Sequence, residues 1–214
     1  MRLKSGMVVA VVALCAVPAL ATENSDLRLL DAIKSDNRET VRQLVKARID
    51  PNVAEVDGTT ALHWAVRAGD KETVRLLIKA GAKVGTANRY GVTPLSLAAT
   101  NGDAAMLELL LVAGADANTS SADGETTLMT ASRTGNAAAV KVLLKHGAKV
   151  NAKNSGGITA LMIVAANNQS KIAAALLAAG ADTAAKSDDG RTALSIAQSN
   201  NSDALVKLLQ AKSG

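Results

Sequence analysis

Apolar and polar positions recur along this chain with a period of 33 residues between Val53 and the C-terminus. Each period starts with a glycine, followed by a threonine two residues later, then by a leucine and, in all but one period, an alanine three residues further on. Residues at this last spacing lie on one face of a helix. A second apolar run with paired aliphatic residues follows. The pattern predicts two short helices per period, and the starting glycines are Gly58, Gly91, Gly124, Gly157 and Gly190.

The polar residues of each period predict where these helices begin and end. The threonine is a favoured N-cap, because its hydroxyl accepts hydrogen bonds from N–H groups of the first turn, and Pro94 suits the first helical position. Glycine ends the first helix in three periods, and the predicted caps of the second helix are Asp70, Asp103, Asn136 and Ser202. Asn167-Asn168-Gln169 stands where a glycine turn is expected, so we expect this junction to be the least regular.

This pattern resembles the ankyrin repeat. The family motif Gly-x-Thr-Pro-Leu-His-x-Ala stands here as Gly58-Thr59-Thr60-Ala61-Leu62-His63-Trp64-Ala65 and, one period later, as Gly91-Val92-Thr93-Pro94-Leu95-Ser96-Leu97-Ala98. The resemblance covers about residues 25 to 214. It implies an all-α solenoid of about six helix-turn-helix units with projecting β-turn tips. The units are predicted at about 25–54, 55–87, 88–120, 121–153, 154–186 and 187–214, within a single domain of residues 22–214 whose first and last units act as caps.

The first 21 residues have a different composition from the repeats. Arg2 and Lys4 precede an apolar run, and Ala19-Leu20-Ala21 gives the small-x-small pattern of a secretory cleavage site. We expect a signal peptide removed after Ala21, and a periplasmic or secreted mature protein. One alternative is an uncleaved anchor, although the run is shorter than the roughly 20 residues of a spanning helix. A lipid-attached Cys15 is disfavoured because the preceding residue, Leu14, is not small.

Composition and charge narrow the functional classes. The chain has one Trp, one Tyr and no Phe, so its apolar residues are those of thin helices packed closely together. It carries 24 Lys and Arg against 19 Asp and Glu, and the net charge of +5 falls to +3 without Arg2 and Lys4. The charges are interspersed, which does not indicate a nucleic-acid partner. We also expect no membrane association of the mature form.

Residues with catalytic or metal-binding chemistry are few. The two histidines, His63 and His146, belong to different repeats, and the lone cysteine lies in the predicted signal peptide. A metal site or a triad needs several such groups together. We therefore expect no cofactor, no metal and no enzymatic activity, with an enzyme using an unrecognised site as a distant alternative. The resemblance implies that His63 hydrogen-bonds to neighbouring backbone.

The resemblance also implies where a partner binds. In the family, contacts come mainly from the loop tips and the exposed side of the first helix, which form a concave groove. Trp64 is interpreted either as core or as interface, and Val92 and Ile158 as single exposed apolar residues. Interface energy concentrates in Trp, Tyr and Arg, so a hot spot is predicted around Trp64, Arg67, Arg89 and Tyr90. The candidate partner-binding residues are Asp57, Trp64, Arg67, Arg89, Tyr90, Val92, Glu125, Arg133, Ile158 and Arg191.

These observations predict an exported protein–protein interaction module. It would act as a monomer, hold a protein partner in the groove of the stack and stabilise or regulate that partner. The alternative is a secreted effector that acts on a host protein through the same groove. The sequence does not identify the partner.

Overall fold

The computed structural model describes residues 23–212, with side chains from Leu27 onward. This part of the chain forms twelve helices, and consecutive helices pack in six pairs, one pair per predicted unit. The predicted signal peptide, residues 1–21, lies outside the described residues, and the unit boundaries stay a prediction. The helices are α1 Glu23–Lys34, α2 Arg38–Lys46, α3 Ala61–Arg67, α4 Lys71–Lys79, α5 Pro94–Thr100, α6 Ala104–Val112, α7 Thr127–Thr134, α8 Ala137–Lys145, α9 Ala160–Ala166, α10 Ser170–Ala178, α11 Ala193–Ser199 and α12 Asp203–Gln210.

The first helix of each unit from the second to the sixth starts as the sequence predicts. Its threonine has extended backbone angles, and its hydroxyl accepts a hydrogen bond from the backbone N–H three residues later. Pro94 occupies the first helical position of α5, where its missing N–H has no helical partner to lose. The prediction of threonine caps is therefore confirmed at Thr60, Thr93, Thr126, Thr159 and Thr192.

The turn inside each helix pair needs a residue with positive φ. Gly69, Gly102 and Gly135 supply it in three units. Asn168 takes the same left-handed conformation at φ 53°, which asparagine tolerates better than most residues. The junction at Asn167-Asn168-Gln169 is therefore not uniquely irregular, because Asn201 does the same at φ 51° in the last unit.

The predicted caps of the second helices differ in outcome. Asp70, Asp103 and Asn136 accept backbone hydrogen bonds at the start of α4, α6 and α8. Ser202 does not, and the prediction of a capping bond there is wrong. Its hydroxyl is buried at the start of α12 and finds no partner among the described residues. A serine hydroxyl on so short a side chain makes the bond only when the preceding turn points it at the N–H groups.

The helices stack in two rows. First helices α1, α3, α5, α7, α9 and α11 pack on one another, and second helices α2, α4, α6, α8, α10 and α12 form the other row. The core lies between the rows, where the second helices α4, α6, α8, α10 and α12 each bury one leucine of the repeat pattern completely. These leucines, Leu77, Leu110, Leu143, Leu176 and Leu209, follow the 33-residue period. The all-α solenoid is therefore confirmed. No helix among residues 23–212 has the length and apolarity to cross a membrane.

Asparagine side chains tie consecutive units together below the tips. The amide of Asn118 donates from Nδ2 to the carbonyl of Gly147 at 3.3 Å and accepts from the N–H of Lys149 at 2.8 Å. Asn52 and Asn151 make the same pair of bonds to the units that follow them. Gly85 stands at this position in the second unit and has no side chain to do so.

Candidate functional site

The loop tips lean on one another along the stack. The backbone N–H of Arg89 donates to the carbonyl of Asp57 at 2.7 Å, and Ser155 repeats this bond to Asp123 at 2.8 Å. Because these two tips are held against the previous ones, Val92 and Ile158 are half-buried. The expectation that these two residues are exposed is therefore wrong.

Three neighbouring pockets follow the tips and the first helices, and we call this face the groove. The first pocket, of about 250 Å³, is lined by Asp57, Trp64, Arg67, Tyr90 and Val92 among others. The second, of about 290 Å³, shares Tyr90 and Val92 with the first and adds Glu125. The third, of about 200 Å³, contains Arg133, Ile158 and Arg191. All of the candidate residues except Arg89 thus line the groove.

Trp64 lies at the N-terminal end of the groove between two cations. The centre of its indole ring is 4.8 Å from Lys34 Nζ and 5.0 Å from the guanidinium carbon of Arg67. The ring is half-buried, packs against the core and still lines the first pocket. Its Nε1 atom is buried without a hydrogen-bond partner among the described residues. Both interpretations of Trp64, core and groove, therefore apply to parts of one side chain.

The tip of the third unit presents the most exposed aromatic side chain. Tyr90 is 71% exposed and forms the wall between the first and second pockets. Arg89 instead turns back and donates from its guanidinium to the carbonyl of Val56 at 2.8 Å. Its role is to fix the tip rather than to face the groove. The sequence did not distinguish these neighbours, because the outcome depends on the previous tip.

His63 connects the groove to the fold beneath it. The N–H of Thr60 donates to His63 Nδ1 at 3.1 Å, so that nitrogen is an acceptor and the proton is on Nε2. Nε2 then donates to the carbonyl of Val92 at 2.9 Å. The role that the resemblance implied for His63 is confirmed. Burial lowers the pKa of this imidazole, and the neutral ring is the form that the site holds.

The second pocket is polar and acidic. Hydroxyl groups of Thr93, Ser96 and Thr130 line it together with the carboxylates of Asp123 and Glu125. Hydrogen bonds from Ser121 and the Glu125 N–H hold the pKa of Asp123 below its ordinary value. Glu125 forms an ion pair with Arg133 at 2.9 Å, and Arg133 also lines the third pocket.

Aspartates repeat at the mouth of the groove. Asp57, Asp123 and Asp189 stand at the same place in alternate tips, and the pKa of each is lowered by hydrogen bonds within its own turn. These carboxylates are consequently charged at neutral pH. Arg191 forms an ion pair with the last of these aspartates, with its Nε 2.6 Å from Asp189 Oδ2.

The third pocket is lined mainly by aliphatic and other apolar side chains. Ile158, Met162 and Ile163 form its floor, and Arg133 and Arg191 stand at its rim. This arrangement suits an apolar side chain of a partner beside a polar backbone or a carboxylate. Sequence reasoning found the two arginines and Ile158 but missed Met162, because its position in the repeat reads as ordinary core.

The described residues contain few clustered groups that could bind a metal or perform acid–base chemistry. Within residues 23–212, no three His, Cys, Asp or Glu residues lie together as metal ligands would. His146 makes a 3.1 Å pair with Glu108, which also pairs with Lys145 at 2.9 Å. This cluster joins α6 to α8 on the row of second helices, and its contacts are those of an ion pair between units.

Comparison with known proteins agrees with this geometry. The family model for ankyrin repeats, described as three copies, matches residues 29–121, 95–187 and 128–214. A search of curated proteins finds no match for the chain. The matched segments together span the described helices from Leu29 onward, and this chain belongs to the ankyrin repeat family.

Proposed function

We propose that this chain is exported from the cell interior and binds one protein partner in the groove, which it stabilises or regulates. Ankyrin repeats indicate a protein–protein interaction module, and members of the family are typically not enzymes. The observation that carries the proposal is an exposed Tyr90 shared by the first two pockets, with the third pocket further along the same face. Tyrosine on a concave, partly apolar surface is a common anchor of interface energy.

The groove offers three different environments in sequence. An aromatic and cationic end at Trp64 and Arg67 leads to the acidic centre at Glu125, and this leads to the apolar end at Ile158. A partner that fills all three must present matching groups in that order. Such ordered complementarity gives specificity even where each contact contributes little.

Export is supported by the N-terminal sequence. Arg2, Lys4, the apolar run and Ala19-Leu20-Ala21 follow the order of a signal peptide. The proposal requires a mature chain that begins at Thr22. Intact-mass measurement of the protein purified from the periplasm and the culture medium tests it, and recovery of full-length chain in the cytoplasm would contradict it. The fraction that holds the protein separates a periplasmic binder from a released effector.

Photocrosslinking in the native cell tests groove binding. A benzoylphenylalanine is placed at Tyr90, and the matched control is placed at Lys171, an exposed residue of α10 in the other row. We expect one defined adduct from position 90 and none from position 171. Adducts of equal yield from both positions would contradict the proposal, and so would the absence of adducts from both when the protein is correctly exported.

We further propose that the chain is a monomer in solution. Light scattering of the purified chain measures its mass and checks this.

A further inference from the structure

A cavity larger than any of the three groove pockets lies outside the groove. It lies on the row of second helices, between α2, α4 and the loop at residues 48–51, and measures about 730 Å³. We call it the outer cleft. Its volume is within the range of about 300–1,000 Å³ that is usual for binding pockets. Binding there would leave the groove free.

The rim of the outer cleft is cationic. Lys46, Arg48 and Lys79 line it, and all three are exposed. Their side chains make no ion pair or hydrogen bond to any other residue that the structure describes, whereas the neighbouring Arg42 pairs with Glu72 at 2.7 Å. The single carboxylate of the lining, Asp50, accepts hydrogen bonds from Asn52.

The floor of the outer cleft is apolar. Val45 and Ile49 contribute their outer sides and also pack against the core. Leu76 is half-buried, lines the cleft and is not part of the packed core. A partner that covers Leu76 would remove apolar surface from water and would also neutralise the unpaired cations around it. Both effects favour binding.

The shape and chemistry of the outer cleft select one class of occupant. A bilayer surface is flat and does not reach an apolar floor below a rim of cations. A nucleic acid brings phosphates but no aliphatic side chain, and it finds no aromatic residue to stack on, since Trp64 and Tyr90 both line the groove. The apolar segment at the N-terminus of this chain begins with Arg2 and Lys4, which the rim would repel.

We propose that the outer cleft binds an acidic protein segment, which inserts an aliphatic side chain onto Leu76 while its carboxylates pair with Lys46, Arg48 and Lys79. Each ion pair at an exposed rim contributes a modest amount. The apolar contact positions the segment, and the carboxylates confer selectivity. This inference does not rest on the groove, so either surface can fail its test while the other passes.

Fluorescence anisotropy with designed peptides tests the proposal. The probe is a labelled peptide in which glutamates flank two leucines, and its matched control replaces every glutamate with glutamine. We expect the glutamate peptide to bind at least about tenfold more tightly, with affinity falling as salt is added. The variant Lys46→Glu, Arg48→Glu, Lys79→Glu should lose at least about tenfold in affinity for it.

Two matched variants separate position from charge. The control variant carries Lys141→Glu, Lys149→Glu and Lys171→Glu, at exposed positions on α8, just after α8 and on α10. It makes the same change of net charge and should leave peptide affinity unchanged within about twofold. Leu76→Ser should weaken the glutamate peptide several-fold while the thermal midpoint stays close to that of the parent. Circular dichroism checks that each variant folds.

Other results would overturn the inference. Equal binding of the glutamate and glutamine peptides would remove the role of the rim. Equal losses in the two triple variants would reduce the effect to net charge. Binding to vesicles containing phosphatidylserine, with no binding to either peptide, would assign the cleft to membranes. Self-association that the Lys46, Arg48, Lys79 variant abolishes would assign it to a second copy of the chain.

Discussion

His63 Nε2 lies 2.9 Å from the carbonyl oxygen of Val92, so one buried imidazole fastens the first helix of a unit to the tip of the next. The neutral ring satisfies both nitrogens, because Nδ1 accepts from the Thr60 N–H. Protonation would make Nδ1 a donor and remove its bond from the Thr60 N–H, whereas Nε2 would still donate to Val92.

Acidification should weaken the fold through His63. Burial lowers its pKa in the folded state below the ordinary 6.5, so above that pH both states are neutral and the stability is fully present. As pH falls from about 6.5 through the lower folded pKa, the unfolded state binds the proton first and stability is lost. Urea unfolding across this range checks the loss. The variant His63→Gln should flatten the slope, and a slope unaltered in His63→Gln would contradict the assignment.

The tip at Gly157 should be intolerant of a side chain. A Cβ there would lie 2.6 Å from Asp188 Oδ1 and 2.9 Å from the Asp188 backbone nitrogen, at φ +70°. Gly180 has φ +85° but open space around it. Gly180→Ala should cost about 1–2 kcal/mol of unfolding free energy from backbone strain, and Gly157→Ala about 1–3 kcal/mol more from the clash. Chemical denaturation measures both, and equal losses would show that strain alone matters.

The missing amide at Gly85 offers a gain of stability. In the first, third and fourth units, asparagine at this place bonds to the following loop, and the equivalent groups here are the Gly114 carbonyl and the Asp116 N–H. Gly85 has no close neighbour that a Cβ would meet. Gly85→Asn should stabilise the protein by about 1–2 kcal/mol. Gly85→Ala restricts the unfolded chain without the bonds, so a shift in melting temperature no larger for Asn than for Ala would count against the bridge.

Trp64 fluorescence should report on the cations that cover its ring. Arg67 lies over one side of the indole, 5.0 Å from its centre. Arg67→Ala should increase collisional quenching by acrylamide and shift emission to longer wavelength, because it opens the ring to water. Arg133→Ala, further along the groove, is the control and should change neither. Unchanged quenching in Arg67→Ala would place the cover elsewhere, for example on Lys34.

Much of the fold could be predicted because its determinants are local and repeated. Thr60 caps a helix that begins one residue later, and Leu77 faces the core by its position in a helix of nine residues. Neither outcome depends on distant parts of the chain. Because the sequence repeats, the same helix caps and core positions recur from unit to unit along the stack.

The site was less predictable because its details depend on contacts between units. Lys34 reaches Trp64 from 30 residues away, and no local pattern marks the pair. The leaning of one tip on another turned Val92 inward and drew Arg89 away from the groove. The cations of the outer cleft were visible in the sequence, yet only the packing of α2 beside α4 gathers them.

The row of first helices sets a length scale for whatever lies along it. Helices α3, α5, α7 and α9 pack side by side, and packed helices are about 8–10 Å apart. An extended peptide advances about 3.3 Å per residue, so it passes from one unit to the next roughly every third residue. A partner that lies along the stack as a polyproline II helix, which has three residues per turn, would therefore present every third side chain to successive units, a period that can be recognised in its own sequence.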